Sequence, residues 1–180
     1  MKKILHDYGF LGLISITIVV LDQWTKNWVR SQLEYGEAWA PWDWLLPYAR
    51  LIHAQNTGAA FGMLQGLNAV FTVLAIIVSC VIIYYFPRVP REDWLLRLAL
   101  ALQLGGAVGN LIDRITEGYV TDFISAGMFP VFNVADAAIS IGVALLILAM
   151  WLKEREQKNH DTSPGSEIAE IQKPEEIQSE

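Results

Sequence analysis

The sequence predicts an all-α integral membrane protein with four transmembrane helices, and three observations lead to that class. Hydrophobic residues make up 53% of the 180 residues and the mean hydropathy is +0.33, which is more apolar than an ordinary soluble domain. The apolar residues are concentrated in long runs of the length that a bilayer core requires of a helix. The basic residues are concentrated in only some of the connecting segments, as in membrane proteins of fixed orientation.

Four segments meet the length requirement, and we place them at about 8–28, 67–86, 94–113 and 131–152. The second carries no charge and the fourth carries only Asp136. The first is uncharged only over 8–21, so it must continue through Asp22 to cross the bilayer. Lys2 and Lys3 precede it as they would a signal peptide, but no small-x-small cleavage site follows it. We therefore interpret it as an uncleaved span.

Basic residues are unevenly distributed among the segments that flank the spans. They are frequent at the N-terminus, in the second loop and after the fourth span, at Lys2, Lys3, Arg88, Arg91, Arg97, Lys153, Arg155 and Lys158. Short cytoplasmic loops carry the excess of lysine and arginine. We therefore expect both termini in the cytoplasm and the loops at about 29–66 and 114–130 outside.

Composition divides the chain into a membrane domain at 1–157 and a polar tail at 158–180. Residues 153–180 contain eight acids and four bases, whereas residues 1–152 contain eleven acids and nine bases. The net charge of −6 therefore arises mainly near the C-terminus, and we expect this acidic cytoplasmic tail to be disordered. The body has no basic surface of the kind that binds nucleic acid, so we expect no such partner.

Polar residues within the predicted spans recur at helical spacing, which places them on single faces. Asp22 and Lys26 are four residues apart and can pair. The third span carries one such stripe, formed by Gln103, Gly106, Asn110 and Asp113. The fourth carries another, formed by Asn133, Asp136 and Ser140. Ionisable residues in spans are costly and usually functional, so we expect the stripes to meet just below the outer surface. For Gly105, Gly106 and Gly109 we favour close helix packing that positions the polar face.

Ion pairs that hold the helices together are the structural alternative for these aspartates. Asp22 has Lys26 one turn away, and Asp113 has Arg114 beside it. For these two aspartates we favour an orienting role, and we predict that Arg114 pairs with Asp113. Asp122, between the third and fourth spans, and Asp136 have no basic neighbour in sequence. They are the two candidates for chemistry.

Two carboxylates held close together cannot both ionise cheaply, so one keeps its proton while the other acts as a base. Such a pair can deprotonate water and protonate a leaving amine, as amide hydrolysis requires, and it needs no metal. No Ser-His or Cys-His set lies on one predicted face. His6, His53 and His160 lie outside the span interiors, and we interpret His53 as a surface histidine. Cys80, in the middle of an apolar run, is assigned to packing.

Five short motifs follow one another along the predicted spans. They are Asp22-Gln23-Trp24-Thr25-Lys26, Asn56-Thr57-Gly58-Ala59-Ala60-Phe61, Gly105-Gly106-Ala107-Val108-Gly109-Asn110-Leu111-Ile112-Asp113-Arg114, Val120-Thr121-Asp122-Phe123 and Phe129-Pro130-Val131-Phe132-Asn133-Val134-Ala135-Asp136. In this order, over the first 152 residues or so, they resemble the motifs of the lipoprotein signal peptidases (signal peptidase II), and the chain departs from none of them. Each motif alone is a weak signal, whereas the ordered set is specific.

That resemblance implies a membrane aspartic endopeptidase that removes signal peptides from diacylglyceryl-modified prolipoproteins, cutting on the N-terminal side of the lipidated cysteine. It implies that Asp122 and Asp136 are catalytic. The polar residues it implies in support are Asp22, Lys26, Asn56, Asn110, Asp113, Arg114 and Asn133, to which we add Gly106 as a packing residue. It also implies a site near the extracytoplasmic face of the bacterial inner membrane, and a small sheet on the membrane surface formed by the first outer loop. We expect prolipoproteins and membrane lipid as partners, a monomeric chain, and no metal or other cofactor.

Three other functions are compatible with intramembrane aspartates. A small proton- or ion-coupled transporter would use Asp113, Asp122 and Asp136 as a relay, but it predicts polar residues along the full depth of a span. A metal-dependent enzyme acting on phosphates would hold magnesium with these carboxylates. A membrane scaffold would leave the converging polar stripes without a purpose.

Overall fold

The computed structural model describes residues 2–58 and 64–161, and it describes side chains over 6–58 and 64–158. Contacts divide the chain into two compact units, at residues 1–146 and 147–180. The helices are α1 Lys2–Gln32, α2 Asn68–Tyr85, α3 Trp94–Thr116 and α4 Val134–Asp161. The strands are β1 Ala38–Trp39, β2 Ala49–Asn56 and β3 Val120–Ala126. Single 3₁₀ turns at Asp43–Leu45 and Phe86–Arg88 complete the described elements.

All four helices are long and apolar enough to cross a membrane, which confirms the predicted fold class. Helix α1 extends beyond its predicted span at both ends, and α3 and α4 extend beyond theirs at the C-terminal end, whereas α4 begins three residues later than predicted. The helix α4 reaches Asp161, and the rest of the predicted tail lies outside the described residues. So do Ala59, Ala60 and Phe61 of the second motif.

A three-stranded antiparallel sheet in the order β1-β2-β3 lies in the first unit. The predicted loop sheet is confirmed, but its third strand comes from the segment between α3 and α4. Leu51 pairs with Ile124 and Ala54 with Asp122, with an irregularity between them that shifts the register. This bulge re-aims the strand next to it and places Asp122 opposite Ala54.

The chain enters β3 through a turn that ends α3. The helix ends at Thr116, and Gly118 follows with φ of 81°. This left-handed conformation suits glycine and commonly terminates helices two residues beyond the last turn. The turn therefore delivers Asp122 to the same end of the molecule as Asp113 of α3.

His53 is buried rather than on the surface, which corrects the sequence-based interpretation. It lies in β2 with 8% of its surface exposed, and its Nδ1 is 2.9 Å from the carbonyl oxygen of Leu33. It therefore binds a carbonyl just beyond the end of α1, a role that sequence position does not reveal. The loop tryptophans Trp39, Trp42 and Trp44 are exposed, as residues that meet a headgroup layer would be.

Candidate active site

Asp122 and Asp136 line the same cavity, which has a volume of about 560 Å³. Asp122 projects from β3 and is 3% exposed, and Asp136 lies in the first turn of α4. The other polar lining residues are Asn56, Asn110, Arg114 and Ser140, and the apolar ones include Phe129, Pro130, Val131, Phe132, Ile139 and Ile141. Two carboxylates that are distant in sequence therefore share one largely apolar chamber.

Asn133 links the two aspartates through the N-terminal cap of α4. Its Oδ1 accepts from the backbone N–H of Asp136 at 2.9 Å, and its own N–H donates to Asp136 Oδ2 at 3.3 Å. This reciprocal arrangement is a capping box, with Asn133 at the N-cap and Asp136 three residues on. Because Oδ1 is occupied by the cap, Nδ2 faces Asp122 and donates to its Oδ1 at 2.7 Å. The spacing Asn-x-x-Asp thus fixes both carboxylates at once.

Two further amides hold the remaining carboxylate oxygens. Asn56 accepts from the Gly58 N–H through Oδ1 and donates from Nδ2 to Asp122 Oδ2 at 3.0 Å. Asn110 accepts from the Lys26 ammonium at 2.9 Å and donates from Nδ2 to Asp136 Oδ1 at 2.7 Å. In both cases a group that can only donate occupies the amide oxygen, so the orientation of the amide is determined.

The pair is therefore held by neutral donors, and no ion pair reaches either carboxylate within the described residues. Burial, together with the neighbouring Asp136 charge, raises the pKa of the Asp122 carboxyl from 3.8 to about 7, although the hydrogen bonds from Asn56 and Asn133 lower it. A carboxyl that keeps its proton near neutral pH beside a second carboxylate can serve as an acid while its neighbour serves as a base.

A second acidic pair, Asp22 and Asp113, lies behind the first and is neutralised by cations. Lys26 Nζ is 2.7 Å from Asp22 Oδ2 and 3.2 Å from Asp113 Oδ2, and all three side chains are fully buried. The pairing of Asp22 with Lys26 that the sequence predicts is confirmed. Asp22 Oδ1 also accepts from the Ala135 N–H at 2.9 Å, where a carboxylate stabilises the start of α4.

Asp113 is paired differently from the prediction. Its partners are Lys26 and Arg30, the latter at 3.6 Å, rather than Arg114. Adjacent residues on a helix point in different directions, so Arg114 faces the cavity instead, 5.5 Å from the ring centroid of Phe71. Its Nε is buried and has no hydrogen-bond partner within the described part of the chain.

Three polar residues of this network were not among the predicted site residues. Arg30 donates to Thr121 Oγ1 at 2.9 Å, the Thr121 N–H donates to Asp113 Oδ2 at 2.9 Å, and Gln23 Nε2 donates to Asp113 Oδ1 at 3.0 Å. Arg30 lies one turn beyond Lys26 on α1, so helical spacing was the signal that identifies it. Gln23 and Thr121 lie inside the quoted motifs.

Glycines bring α3 against its neighbours. A Cβ on Gly106 would clash with the Ala135 carbonyl oxygen and would lie 2.7 Å from Ile139 Cγ1, and one on Gly109 would lie 2.7 Å from Asp22 Oδ2. These are closer than real Cβ contacts. The expectation that Gly106 acts through packing agrees with this geometry, because its missing side chain admits the start of α4.

The chain is similar to known proteins over most of its length. The family model described as signal peptidase (SPase) II matches residues 14–152. A lipoprotein signal peptidase of Halalkalibacterium halodurans is 42% identical over 150 residues, covering 81% of this chain and 94% of that protein. One of Acinetobacter baumannii is 42% identical over 165 residues, covering 87% and 91%.

Solved structures agree with the sequence comparisons. A bacterial membrane enzyme solved by the in meso method at 2.3 Å resolution is similar with a TM-score of 0.75 and 32% identity, over 83% of this chain and 92% of that one. The family match covers most of the chain, and the fold is shared over 83% of it. The chain belongs to the signal peptidase II family.

Proposed function

We propose that this protein is an aspartic endopeptidase that removes signal peptides from diacylglyceryl-modified prolipoproteins, with Asp122 and Asp136 as its catalytic pair. The observation that carries the assignment is the single cavity on which both carboxylates lie, joined through Asn133. The names of the relatives support the substrate class. The proposed cut is on the N-terminal side of the lipidated cysteine.

The reaction follows from the two protonation states. Asp136 takes a proton from a water molecule whose oxygen attacks the scissile carbonyl, and Asp122 donates its proton to the carbonyl oxygen. The tetrahedral intermediate then collapses, the C–N bond breaks, and the proton held by Asp136 passes to the leaving amine. The proton on Asp122 is restored as the carbonyl re-forms. Asn110 and Asn133 orient the carboxylates throughout.

The apolar wall of the cavity supports a membrane-borne substrate. Phe129 is 74% exposed beside the cavity, and Ile141 on α4 is 54% exposed. In a bilayer such side chains contact lipid. A signal peptide and an acyl chain are both apolar, so they can approach the aspartates laterally without crossing water.

The position of the pair within the spans supports an extracytoplasmic site. Asp122 follows the end of α3 and Asp136 lies near the start of α4, two spans or more beyond the start of α1. The excess of bases at the N-terminus supports a cytoplasmic start of α1, and the pair then lies on the opposite side. Alkaline phosphatase fused after Asp161 should accordingly be inactive. An active fusion would indicate that the C-terminus is extracytoplasmic and would contradict this orientation.

One chain supplies both aspartates and all the amides that hold them, which supports a monomeric enzyme. The transporter alternative finds no support, since the family that the chain matches is a peptidase family. The metal-dependent alternative is tested with a chelator, because an acid–base pair of carboxyls works without a cation.

The deciding experiment uses purified protein and a synthetic diacylglyceryl prolipoprotein peptide, with and without a chelator. We expect cleavage before the modified cysteine at an unchanged rate in both conditions. Cleavage of the lipidated peptide by the purified Asp136→Asn variant would refute the assignment of the pair. Loss of wild-type activity with the chelator would instead favour a metal-dependent mechanism.

A further inference from the structure

A second, smaller cavity of about 350 Å³ adjoins the first. Its lining comes from one face of α2, one face of α3 and the first turns of α4, and includes Phe71, Leu74, Val78, Gln103, Ala107 and Asp136. We call it the α2–α3 slot. It shares Asp136, Asn110 and Arg114 with the active-site cavity, so it begins at the reacting atoms and continues into the span region.

Gln103 is the polar group at the inner end of this slot. Its Nε2 is buried and has no hydrogen-bond partner within the residues that the structure describes. The stem of its side chain lies against Gly142, where a Cβ would be only 2.8 Å from Gln103 Cγ. A buried N–H group without a partner costs free energy, so its presence in the wall of the slot suits an acceptor that arrives with a ligand.

The dimensions of the slot restrict that ligand. Gln103 precedes Asn110 by seven residues on α3, which is about 10 Å along a helix. An extended chain rises about 3.3 Å per residue, so about three extended residues connect the aspartates with Gln103.

A signal peptide bound at that depth has backbone carbonyls that lack hydrogen-bond donors. It crosses the bilayer as a helix but must be extended where the aspartates attack it, so its helix ends inside the membrane. The last four carbonyls of a helix have no intrahelical donor, and each costs several kcal/mol if it is left unpaired in hydrocarbon. Leu74 and Val78 at the rim of the slot are exposed, where the helical part of a substrate would lie.

We propose that Gln103 is a substrate-binding residue that donates a hydrogen bond from Nε2 to a backbone carbonyl of the signal peptide. The bound carbonyl lies about three residues before the scissile bond, where the peptide changes from helix to extended chain. This inference rests on the proposed function and adds a binding residue to it. It explains why an amide nitrogen with no hydrogen-bond acceptor among the described residues lies in a membrane helix.

The ester carbonyls of the diacylglyceryl group are the other acceptors that the substrate carries. An acyl chain itself offers none, and it would favour an apolar residue at this position. The peptide is the better match, because its helix-end carbonyls have no other source of donors at that depth, whereas ester carbonyls reside at the hydrated interface. A substrate with ether-linked alkyl chains separates the two sources.

The test compares Gln103→Met and Gln103→Leu with wild type in purified form. Both remove the donor and keep the bulk of the side chain. We expect kcat/KM on the diacylglyceryl peptide to fall about tenfold, as for a lost hydrogen bond to a buried acceptor, and to fall equally on the dialkyl ether peptide. The melting temperature should stay level or rise, since an unpaired donor has been removed. Thr17→Val, which removes an exposed α1 hydroxyl bonded to the Leu13 carbonyl, is the matched control and should change neither.

Each other outcome overturns the inference. Unchanged or increased kcat/KM in both variants indicates an acyl chain in the slot, and a defect confined to the diacylglyceryl peptide assigns the bond to the lipid esters. A fall in melting temperature together with activity assigns Gln103 a structural role. All of these results presuppose that wild type cleaves the peptide, so they are distinct from failure of the proposed function, in which wild type does not cleave it.

Discussion

Two acidic pairs lie side by side in this molecule, and their surroundings differ in charge. Asp22 and Asp113 contact Lys26 directly and are fully buried, whereas Asp122 and Asp136 are held by asparagine amides and face a cavity. Lys26 gives the first pair a cation that both carboxylates contact, whereas in the second pair burial and the neighbouring Asp136 raise the pKa of the Asp122 carboxyl. The difference separates the pair that holds the helices together from the pair that can exchange protons with a substrate.

The largest expected effect is the loss of activity on neutralising the second pair. Asp122→Asn or Asp136→Asn should lower kcat/KM about a thousandfold or more, because proton transfer in each direction contributes 10²–10⁴-fold. Asparagine has nearly the same shape, so the melting temperature should change little. Cleavage of the diacylglyceryl peptide measures the first effect, and thermal unfolding in detergent measures the second. If these variants lost as much stability as a variant that breaks the first pair, the distinction between the two pairs would be lost.

Disrupting the first pair should instead lower the stability of the protein. Lys26→Met leaves two buried carboxylates without their shared ammonium, and breaking a buried ion pair from one side costs about 3–5 kcal/mol. We expect a large fall in the melting temperature. The matched control is Lys158→Met, which breaks another pair four residues apart, Lys158 with Glu154, that is largely exposed. Exposed pairs contribute little, so a similar fall in both variants would contradict the account.

Disturbing the contact between α3 and α4 should have a smaller effect on stability and activity. Gly106→Ala places a methyl group against Ala135 and Ile139 of α4 and should cost about 1–3 kcal/mol through overpacking. Because α4 carries Asp136, kcat/KM should fall as well. Gly12→Ala on α1 is the control, since a Cβ added at that position would have nothing within 4 Å. Unchanged activity in Gly106→Ala would show that the spacing of α3 and α4 does not set the geometry of the pair.

The smallest effect is a shift in pH dependence. The reaction needs Asp122 protonated, so kcat/KM should decline as pH rises through about 7, the pKa of Asp122. The Asn56 hydrogen bond lowers that pKa, so Asn56→Ala should raise it and move the decline upward by up to about one pH unit. The profile of kcat/KM measures this on free enzyme. A shift downward would contradict the protonation assignment.

Helical spacing and hydropathy sufficed to predict much of this molecule. The spans follow from the length of apolar runs, and the pairing of Asp22 with Lys26 follows from a separation of one turn. Asp122 and Asp136 were singled out because no base adjoins them in sequence. Within the part of the chain that the structure describes they have no ion-pair partner either, and asparagine amides bind them instead.

Contacts between elements were beyond such reasoning. Asp113 pairs with residues of α1 because two helices pack face to face, and adjacency in sequence wrongly favoured Arg114. The third strand was missed because β3 is buried on both faces, so its sequence lacks the alternation that marks a half-exposed strand. Likewise, the burial of His53 depends on the end of α1, which lies twenty residues earlier.

The mechanism requires one proton held between Asp122 and Asp136 near neutral pH, and infrared titration of the purified enzyme labelled with ¹³C-aspartate observes that proton directly. We predict a protonated-carboxyl band at pH 6 that is absent in Asp122→Asn and disappears with a midpoint near pH 7. A band that titrates near 3.8, the ordinary value for aspartic acid, would show that both carboxylates are ionised at neutral pH and would contradict the mechanism.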